Sequence, residues 1–478
     1  MEERPDILFT RSLMMKTAPH IPRPFTKPAW LQQLQWVVDP VDYMETAARV
    51  CPDIFQASVV GFGGGLVFVN QPQAIQEILT RDTTLGSRIN HYTAPGDLNR
   101  ILAPVLGDSS VMMLDGDRHR KRRQLVMPPF HGERMRAYGD LIGELAIKAF
   151  DAIPLNQPFE ARVVTQDISL NIILKAVFGL SESDIDGGIR GDRFQNLKHL
   201  MTQVADLFQS PLASMFLFYP GLQKDLGAWS PWGKFVRDRQ RLDDLIYLEI
   251  AERRAESRTD RIDILSLLLS ARDEAGEPMS DLELRDELMT LLFAGHETTA
   301  TAMAWALYWT HRQPEVRKKL LQELATLGEN PDPTEIFRLP YLTAVCNETL
   351  RIYPVAMLTF PRQVEVPVEV LGHKLEPGAI VVGCIYLVHH RSDLYPNSHE
   401  FDPQRFIDRT FTPYEFMPFG GGARRCIGEA LAMYELKLVL AQVLSRYEFS
   451  LVDAAPEPPR RRGVTLAPAN GVRLVRSR

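Results

Sequence analysis

Three places in the sequence hold side chains whose types and spacing could do chemistry. The first is Cys426, inside FMPFGGGARRCIGEALAMYEL from Phe416 to Leu436. A cysteine works as a thiolate, binding a metal or attacking a substrate, and that charge must be offset. Arg424 and Arg425 precede it, and a helical pattern starting near Ile427–Gly428 turns its positive end toward the sulfur. Gly420–Gly422 and Gly428 would let backbone approach something flat and bulky, with N–H groups aimed at the sulfur. A nucleophilic cysteine would want a histidine base, and its sequence neighbourhood supplies none. An ordinary buried cysteine would need neither the glycines nor the arginines.

The second place is AGHETT, Ala294–Thr299. Ala294 and Thr298 are four apart and share one helix face. The Thr298 hydroxyl can bond back to the Ala294 carbonyl, and Gly295 permits a local distortion there. Such a groove would admit a small molecule such as water, and Glu297 beside it could relay protons. The ordinary reading of Glu-Thr-Thr on a helix is a solvated face. The apolar pattern Leu284–Gln313, ~45 Å long as a helix, argues for a core position instead.

The third place is a set of basic and paired side chains. DGDRHRKRRQLVMPPF, Asp115–Phe130, carries Arg118, His119 and the run Arg120–Arg123. His119 and Arg123 lie one helical turn apart and could reach the same acidic group. Glu348 and Arg351 in ETLR are three apart on a helix that Pro354 ends. With Arg405 from DPQRF they could form a buried three-member network; taken alone, the pair is an ordinary surface salt bridge.

The elements that must position these groups are mostly helical. Periodicity of the helical kind runs from about Gln73 to Tyr353, preceded by a hairpin at Asp53–Asn70. The hairpin's glycines, Gly61 and Gly63–Gly65, lack the following helix that a dinucleotide loop needs. Loops are expected at Gly86–Asp108 and at the aromatic Ser210–Lys234, which carries Trp229 and Trp232 and would be a lid, a lipid-touching surface or a packed connection. A β-rich stretch covers Phe360–Ile385, and an irregular run, His389–Pro418, leads to Cys426. Residues 1–40 read as a proline-rich segment packed on the surface and residues 41–478 as one catalytic domain. The 478 residues carry 45% hydrophobic and 24% charged side chains with net charge −6, which suits a large buried core and argues against nucleic acid. The four cysteines form no CxxC pair, as in a reducing cytosol, and no signal peptide or membrane anchor is expected at the N-terminus.

The spacing Phe419-x-x-Gly422-x-Arg424-x-Cys426-x-Gly428 resembles the haem-binding loop of cytochrome P450s. AGHETT resembles that family's oxygen-activation segment, ETLR its Glu-x-x-Arg pair and DPQRF the segment whose arginine joins the pair. The four stretches stand in the family's order, and the likeness runs from the hairpin to RRGVTLAPANGVRL near the C-terminus. RDT…SR, DGDRHRKRRQLVMPPFHGERM and ELMTLLFAGHETTA look most like a cyanobacterial branch.

The resemblance implies a mainly α fold with small β-sheets, a single large P450-type unit with haem b between the central helix and the cysteine loop. It implies Cys426 as iron ligand; Arg424, Arg362, His119, Arg123, Ala294, Phe419, Gly420 and Gly428 as haem contacts; and Glu297 with Thr298 as the proton relay. His119 stands where the family usually has Trp. Glu348, Arg351 and Arg405 would fix the core beneath the haem. Phe293, Val355, Met357, Leu358 and Thr359 would line an apolar substrate pocket, with Arg88 or Arg100 as the basic residues that could meet a substrate carboxylate. The implied enzyme is a cytoplasmic, monomeric monooxygenase that hydroxylates a fatty acid, alkane or terpenoid. Electrons would come from a separate ferredoxin or flavodoxin with its NAD(P)H-dependent reductase, docking against Arg120, Lys121, Arg122 and Arg425. A peroxygenase, a peroxide isomerase or a haem-thiolate sensor would also keep the cysteine loop.

Overall fold

The long apolar helix read from sequence organises the molecule. In the computed structural model, which describes residues 20–62, 65–81, 91–130, 134–179, 189–209, 216, 219–227, 229–256, 261, 263–328 and 330–477, eleven helices frame the site. They are α1 (Ala29–Val38), α2 (Pro40–Val50), α3 (Pro72–Thr80), α4 (Gly116–Val126), α5 (Arg134–Asp151) and α6 (Ala161–Phe178), followed by α7 (Ile189–Gln209), α8 (Pro231–Ala255), α9 (Asp281–Arg312), α10 (Pro340–Ile352) and α11 (Glu429–Arg446). Ser280 caps α9 in a reciprocal capping box with Glu283, and Pro314 follows its C-terminal cap. Every residue from Thr299 to Tyr308 is buried, so this half of α9 is apolar or small all round and belongs to the interior.

Four helices close a ring around that half. α6 packs along α9, α9 against α11, α11 against α5, and α5 against α6. The largest apolar cluster fills the ring, from Phe150 and Ile172 to Trp305 and Leu440. α6 and α9 come closest at Gly295, where an added Cβ would sit 2.9 Å from Ile173 Cδ1. The glycine therefore serves close helix packing. α9 runs helical through Ala294–Thr299.

The expected hairpin is present as β1 (Ile54–Ala57) and β2 (Leu66–Val69), paired antiparallel. Its sheet adds β3 (Tyr92–Thr93), β4 (Arg362–Val364) and β5 (Ile380–Gly383) in the order β1-β2-β5-β4-β3. β2 and β5 run parallel, with Leu66 opposite Ile380 and Val69 opposite Gly383. A second hairpin joins β6 (Pro459–Arg462) to β7 (Thr465–Pro468). The proline-rich segment does more than wrap the surface. α1 lies inside it, and Trp36, only 6% exposed, packs with Tyr43, Phe55 and Phe68 beneath the sheet.

The aromatic 210–234 segment divides: Trp232 is buried with Phe235, while Trp229 is 79% exposed. Residues 210–215, 217–218 and 228 of it, and residues 86–90 of the loop read as Gly86–Asp108, lie outside the described residues. The described part of that loop carries β3 and short helical turns from Gly96 to Leu106. Among the described residues no helix is long and apolar enough to cross a membrane.

Candidate active site

Cys426 is built into a turn that folds back on itself. Its backbone N–H donates to the Phe419 carbonyl at 3.0 Å, and Gly420 N–H donates to Met417 at 2.9 Å. Gly420 has φ +71°, a conformation that only glycine adopts freely, and a Cβ there or on Gly428 would meet no atom within 4 Å. Gly421 and Gly422 do a different job from the one expected. A Cβ on Gly422 would collide with the Leu79 carbonyl at the end of α3, and one on Gly421 would press on Tyr414. These two glycines dock the loop on α3, and only Gly420 and Gly428 border open space.

The thiol is accessible, yet burial is the leading cause that raises its pKa. An exposed residue with protein packed round it borders an internal space. The Gly428 N–H bonds to the sulfur and, with Arg123 and Arg425, opposes the rise, while Glu429 adds to it. Those N–H and guanidinium groups favour the thiolate, as the sequence reading required. α11 begins at Glu429 with Gly428 as its cap, so its amide end points back at the cysteine.

The same signature marks α9. Ala294 is exposed although Leu292, His296, Thr299 and Ala300 around it are buried. The Thr298 hydroxyl donates to the Ala294 carbonyl at 2.5 Å. Phe293 on the oxygen-side helix and Phe419 and Ile427 beside the cysteine each pack partly buried against the largest apolar cluster. Glu297 turns away from Thr298 toward α6. Its Oε1 receives Arg162 at 2.7 Å and its Oε2 receives Gln166 Nε2 at 2.5 Å. Arg162 and Gln166 were not read from sequence, because nothing local marks a partner that arrives from another helix.

Four basic groups gather at one edge of the cavity. His119 is buried, and its pKa falls to about 3 through burial and then repulsion from Arg424, Arg123 and Arg362. Arg123 in turn feels Cys426. Arg424 donates to the Val111 carbonyl at 3.1 Å and to Asp115 Oδ1 at 2.5 Å, and Arg362 donates to Phe360 at 3.0 Å. Arg122 does not join the outer basic face as expected. His119, Arg122 and Val126, spaced three and four apart, form the buried face of α4, and Arg122 bonds Glu287 at 3.0 Å. Lys121 and Arg120 stay outside, beside Glu274 and Asp117, and Arg425 pairs with Glu429.

The Glu348, Arg351 and Arg405 network forms as expected. Arg351 Nε meets Glu348 Oε2 at 2.6 Å, and Arg405 Nε meets Glu348 Oε1 at 3.1 Å. Arg351 also grips the carbonyls of His389 and Ser398, at 2.8 and 2.7 Å. His389 extends the network toward the cysteine loop, because its Nε2 accepts the Met417 N–H at 3.0 Å. Burial and Arg351 lower its pKa to about 3, which keeps the ring neutral and able to accept. Nothing local in the chain marks His389 for this part.

The substrate-facing residues need correction. The run after Pro354 is extended, so alternate side chains face opposite ways. Val355, Met357 and Thr359 are buried: Met357 packs with Trp36 and Tyr386, and Thr359 Oγ1 accepts the Gly383 N–H at 2.9 Å. Ala356, Leu358 and Phe360 are the accessible set. Of the residues named from sequence, Phe293 and Leu358 stay accessible. Above them Met112, Met113, Phe216, Trp232 and Phe293 share one apolar cluster, joining the loops expected to roof a pocket. Arg88 lies outside the described residues, and Arg100 is exposed beside Asp97 and Asp108.

The family model for cytochrome P450 matches residues 23–474. The chain belongs to the cytochrome P450 family. Cytochrome P450 135B1 of Mycobacterium tuberculosis is 35% identical over 434 residues, covering 90% of this chain and 86% of the relative. Cytochrome P450 135A1 of the same organism is 32% identical, covering 95% and 94%. Among solved structures, a cyanobacterial P450 with retinoic acid bound superposes with TM-score 0.79 at 22% identity, covering 96% of this chain and 99% of that one. The haem domain of cytochrome P450DA gives TM-score 0.81 at 21% identity, covering 96% and 98%. The sequence relatives are mycobacterial, and the cyanobacterial structure shows the shared fold alone. Cytochrome P450s are haem-thiolate monooxygenases that bind iron protoporphyrin IX and draw electrons from redox partners, and this chain is such an enzyme.

Proposed function

We propose that Cys426 holds the haem iron through its thiolate and that Arg123, Arg362, Arg424 and His119 bind the two propionates. The carrying observation is Cys426 itself, accessible though surrounded by protein, with the Gly428 N–H on its sulfur and the charges of Arg123 and Arg425 favouring the thiolate. The rest of the donor set fits the same group. Three guanidiniums gather round His119, one of them already on Asp115, a setting that favours further anions, and Gly420 and Gly428 leave open space for a flat macrocycle. His119, kept neutral, offers an N–H to a carboxylate. Ala294 and Phe419 border the same space.

When bound, a thiolate-ligated haem with two electrons and two protons puts one atom of dioxygen into a substrate C–H bond and releases the other as water. The chain's own groups do the rest. Thr298 holds its hydroxyl at the Ala294 carbonyl, where it can pass a proton into the cavity. Glu297 takes up protons on the α6 side once its carboxylate swings off Arg162. Phe293, Ala356, Leu358 and Phe360 exclude water and orient an apolar substrate. That lining suits a fatty acid, an alkane or a terpenoid. A separate ferredoxin or flavodoxin with its NAD(P)H-dependent reductase supplies the electrons, and Arg118 and Arg120, both exposed, flank the haem-edge residue His119, with half-buried Lys121 next to them. The alcohol on Ala294 favours oxygen activation over peroxide-only chemistry.

The test reconstitutes the enzyme with ferredoxin, reductase and NADPH on a panel of these three classes. The expected result is a hydroxylated product formed with matching oxygen and NADPH consumption. Product from peroxide alone, with none under ferredoxin, would contradict it.

A further inference from the structure

Residues 107–115 form no helix or strand, and side chains from other elements hold several of the backbone groups in and beside this strap. On α9, buried Arg285 donates to the Leu106 carbonyl at 3.3 Å, and Asp286 accepts the Ser109 N–H at 2.8 Å. Arg122 on α4 donates to the Ser109 carbonyl at 2.9 Å. Towards its other end Arg424 donates to the Val111 and Leu114 carbonyls, at 3.1 and 2.5 Å. The strap thus ties α9 to the arginine two residues before Cys426.

Thr290 is the grip nearest the oxygen-side segment. Asp286, Thr290 and Ala294 follow at four-residue spacing along one face of α9; the first two hold the strap and the third is exposed among buried neighbours. Thr290 and Ser110 are both buried, and their hydroxyl oxygens lie 2.7 Å apart. Thr290 Oγ1 is also 2.7 Å from the Asp286 carbonyl. Each hydroxyl holds one proton. With Thr290 donating to that carbonyl, Ser110 donates to Thr290, and the Ser110 oxygen accepts the Met112 N–H at 3.2 Å. The Met112 carbonyl accepts Asn99 Nδ2 at 3.0 Å, so the residue is held by its backbone on both sides. Met112 and Met113 belong to the small apolar cluster that contains Phe216, Trp232 and Phe293. An apolar pair of the same shape would be nearly neutral for stability, so what the two hydroxyls add is a fixed place for Met112.

We propose that Thr290, acting through Ser110, is a positioning residue that sets Met112 in the roof of the substrate pocket and so governs which ligands fit there. Neither hydroxyl touches the reacting atoms. The inference rests on Cys426 holding a haem beneath that roof. Wild type and each variant are therefore first checked for the reduced-CO spectrum of a thiolate-ligated haem, and failure of that reading shows in wild type before any variant is compared.

The experiment measures hydrogen exchange and haem-ligand binding on the holoenzyme. Thr290→Val should speed exchange of the Met112 amide roughly tenfold, the size that one lost buried hydrogen bond can cost. Phenylimidazole, bulky enough to press on the roof, should bind roughly tenfold more weakly, whereas the smaller imidazole should bind as in wild type. Ser110→Ala should match Thr290→Val, and the double variant should add little to either. Thr290→Ser keeps the hydroxyl and should restore both readings. Unchanged Met112 exchange in Thr290→Val, or a wild-type affinity ratio between the two ligands, would overturn the proposal. So would a Thr290→Ser enzyme that behaves like Thr290→Val, because the methyl group and not the hydroxyl would then set the roof.

Discussion

Glu297 and Thr298 are neighbours in sequence and work on different sides of α9. Thr298 was legible because a hydroxyl four residues after a small residue reaches back one turn, whatever the fold around it. The Arg162 and Gln166 contacts to Glu297 were not, since they depend on how α6 crosses α9. We expect Thr298→Ala to keep the haem and divert most electrons to peroxide, lowering coupling by about tenfold or more; NADPH, peroxide and product titrations check this. Glu297→Gln should cut turnover by about 10²-fold and enlarge the solvent isotope effect. An unchanged isotope effect would reduce Glu297 to a tether for Arg162. The pocket correction is also a residue-scale matter, since alternation after Pro354 decides it and the sequence reading took neighbours together. Ala356→Phe should weaken substrate-induced displacement of iron-bound water, with Met357→Ala costing ~2–5 kcal/mol of stability and leaving that titration near wild type.

At the scale of elements, the Glu348, Arg351 and Arg405 network shows how the irregular run before the cysteine loop is held. Glu348 and Arg351 are fully buried, and between them they fasten α10 to Arg405, His389 and Ser398. Three-residue spacing made the pair visible in the sequence. The His389 link to Met417 was invisible because no local pattern distinguishes it from the adjacent His390. Glu348→Gln leaves Arg351 and Arg405 without their charge partner, and we expect a loss of about 3–5 kcal/mol. Denaturant unfolding and the haem content of the purified variant measure it; unchanged stability would mean the network is dispensable. The long helix was the most legible element, because its apolar pattern runs unbroken over Leu284–Gln313. The packing of Gly295 on Ile173 was not legible, since a glycine inside a helix says nothing of what crosses it.

For the whole molecule, buried titratable groups set a pH window. Burial holds His296 and His311 near 4 and His389 near 3, and pushes His390 well below its usual value. Unfolding lets each take a proton below about 6.5, so their stabilisation is present above that pH and lost as pH falls. Glu287, raised to about 7, and Glu435, raised to about 8, act in the opposite sense: their stabilisation is present at low pH and lost as pH rises. Between about pH 4.5 and 6.5 the histidines outnumber the acids, and above 6.5 only the acids titrate, each worth ~1.4 kcal/mol per pH unit in its window. Holoenzyme melting temperature should therefore peak between about pH 6 and 7 and fall on both sides; a steady rise through pH 8 would contradict this. The fold class was readable because four short motifs stood in order, whereas the cross-chain sheet pairing of β2 with β5 and the ring of α5, α6, α9 and α11 were not. The account turns on Cys426, and the reduced protein under carbon monoxide tests it most directly. A Soret band shifted to the red by a thiolate, and lost in Cys426→His with the haem retained, is the expected result. An unshifted band in the correctly folded wild-type protein would contradict it.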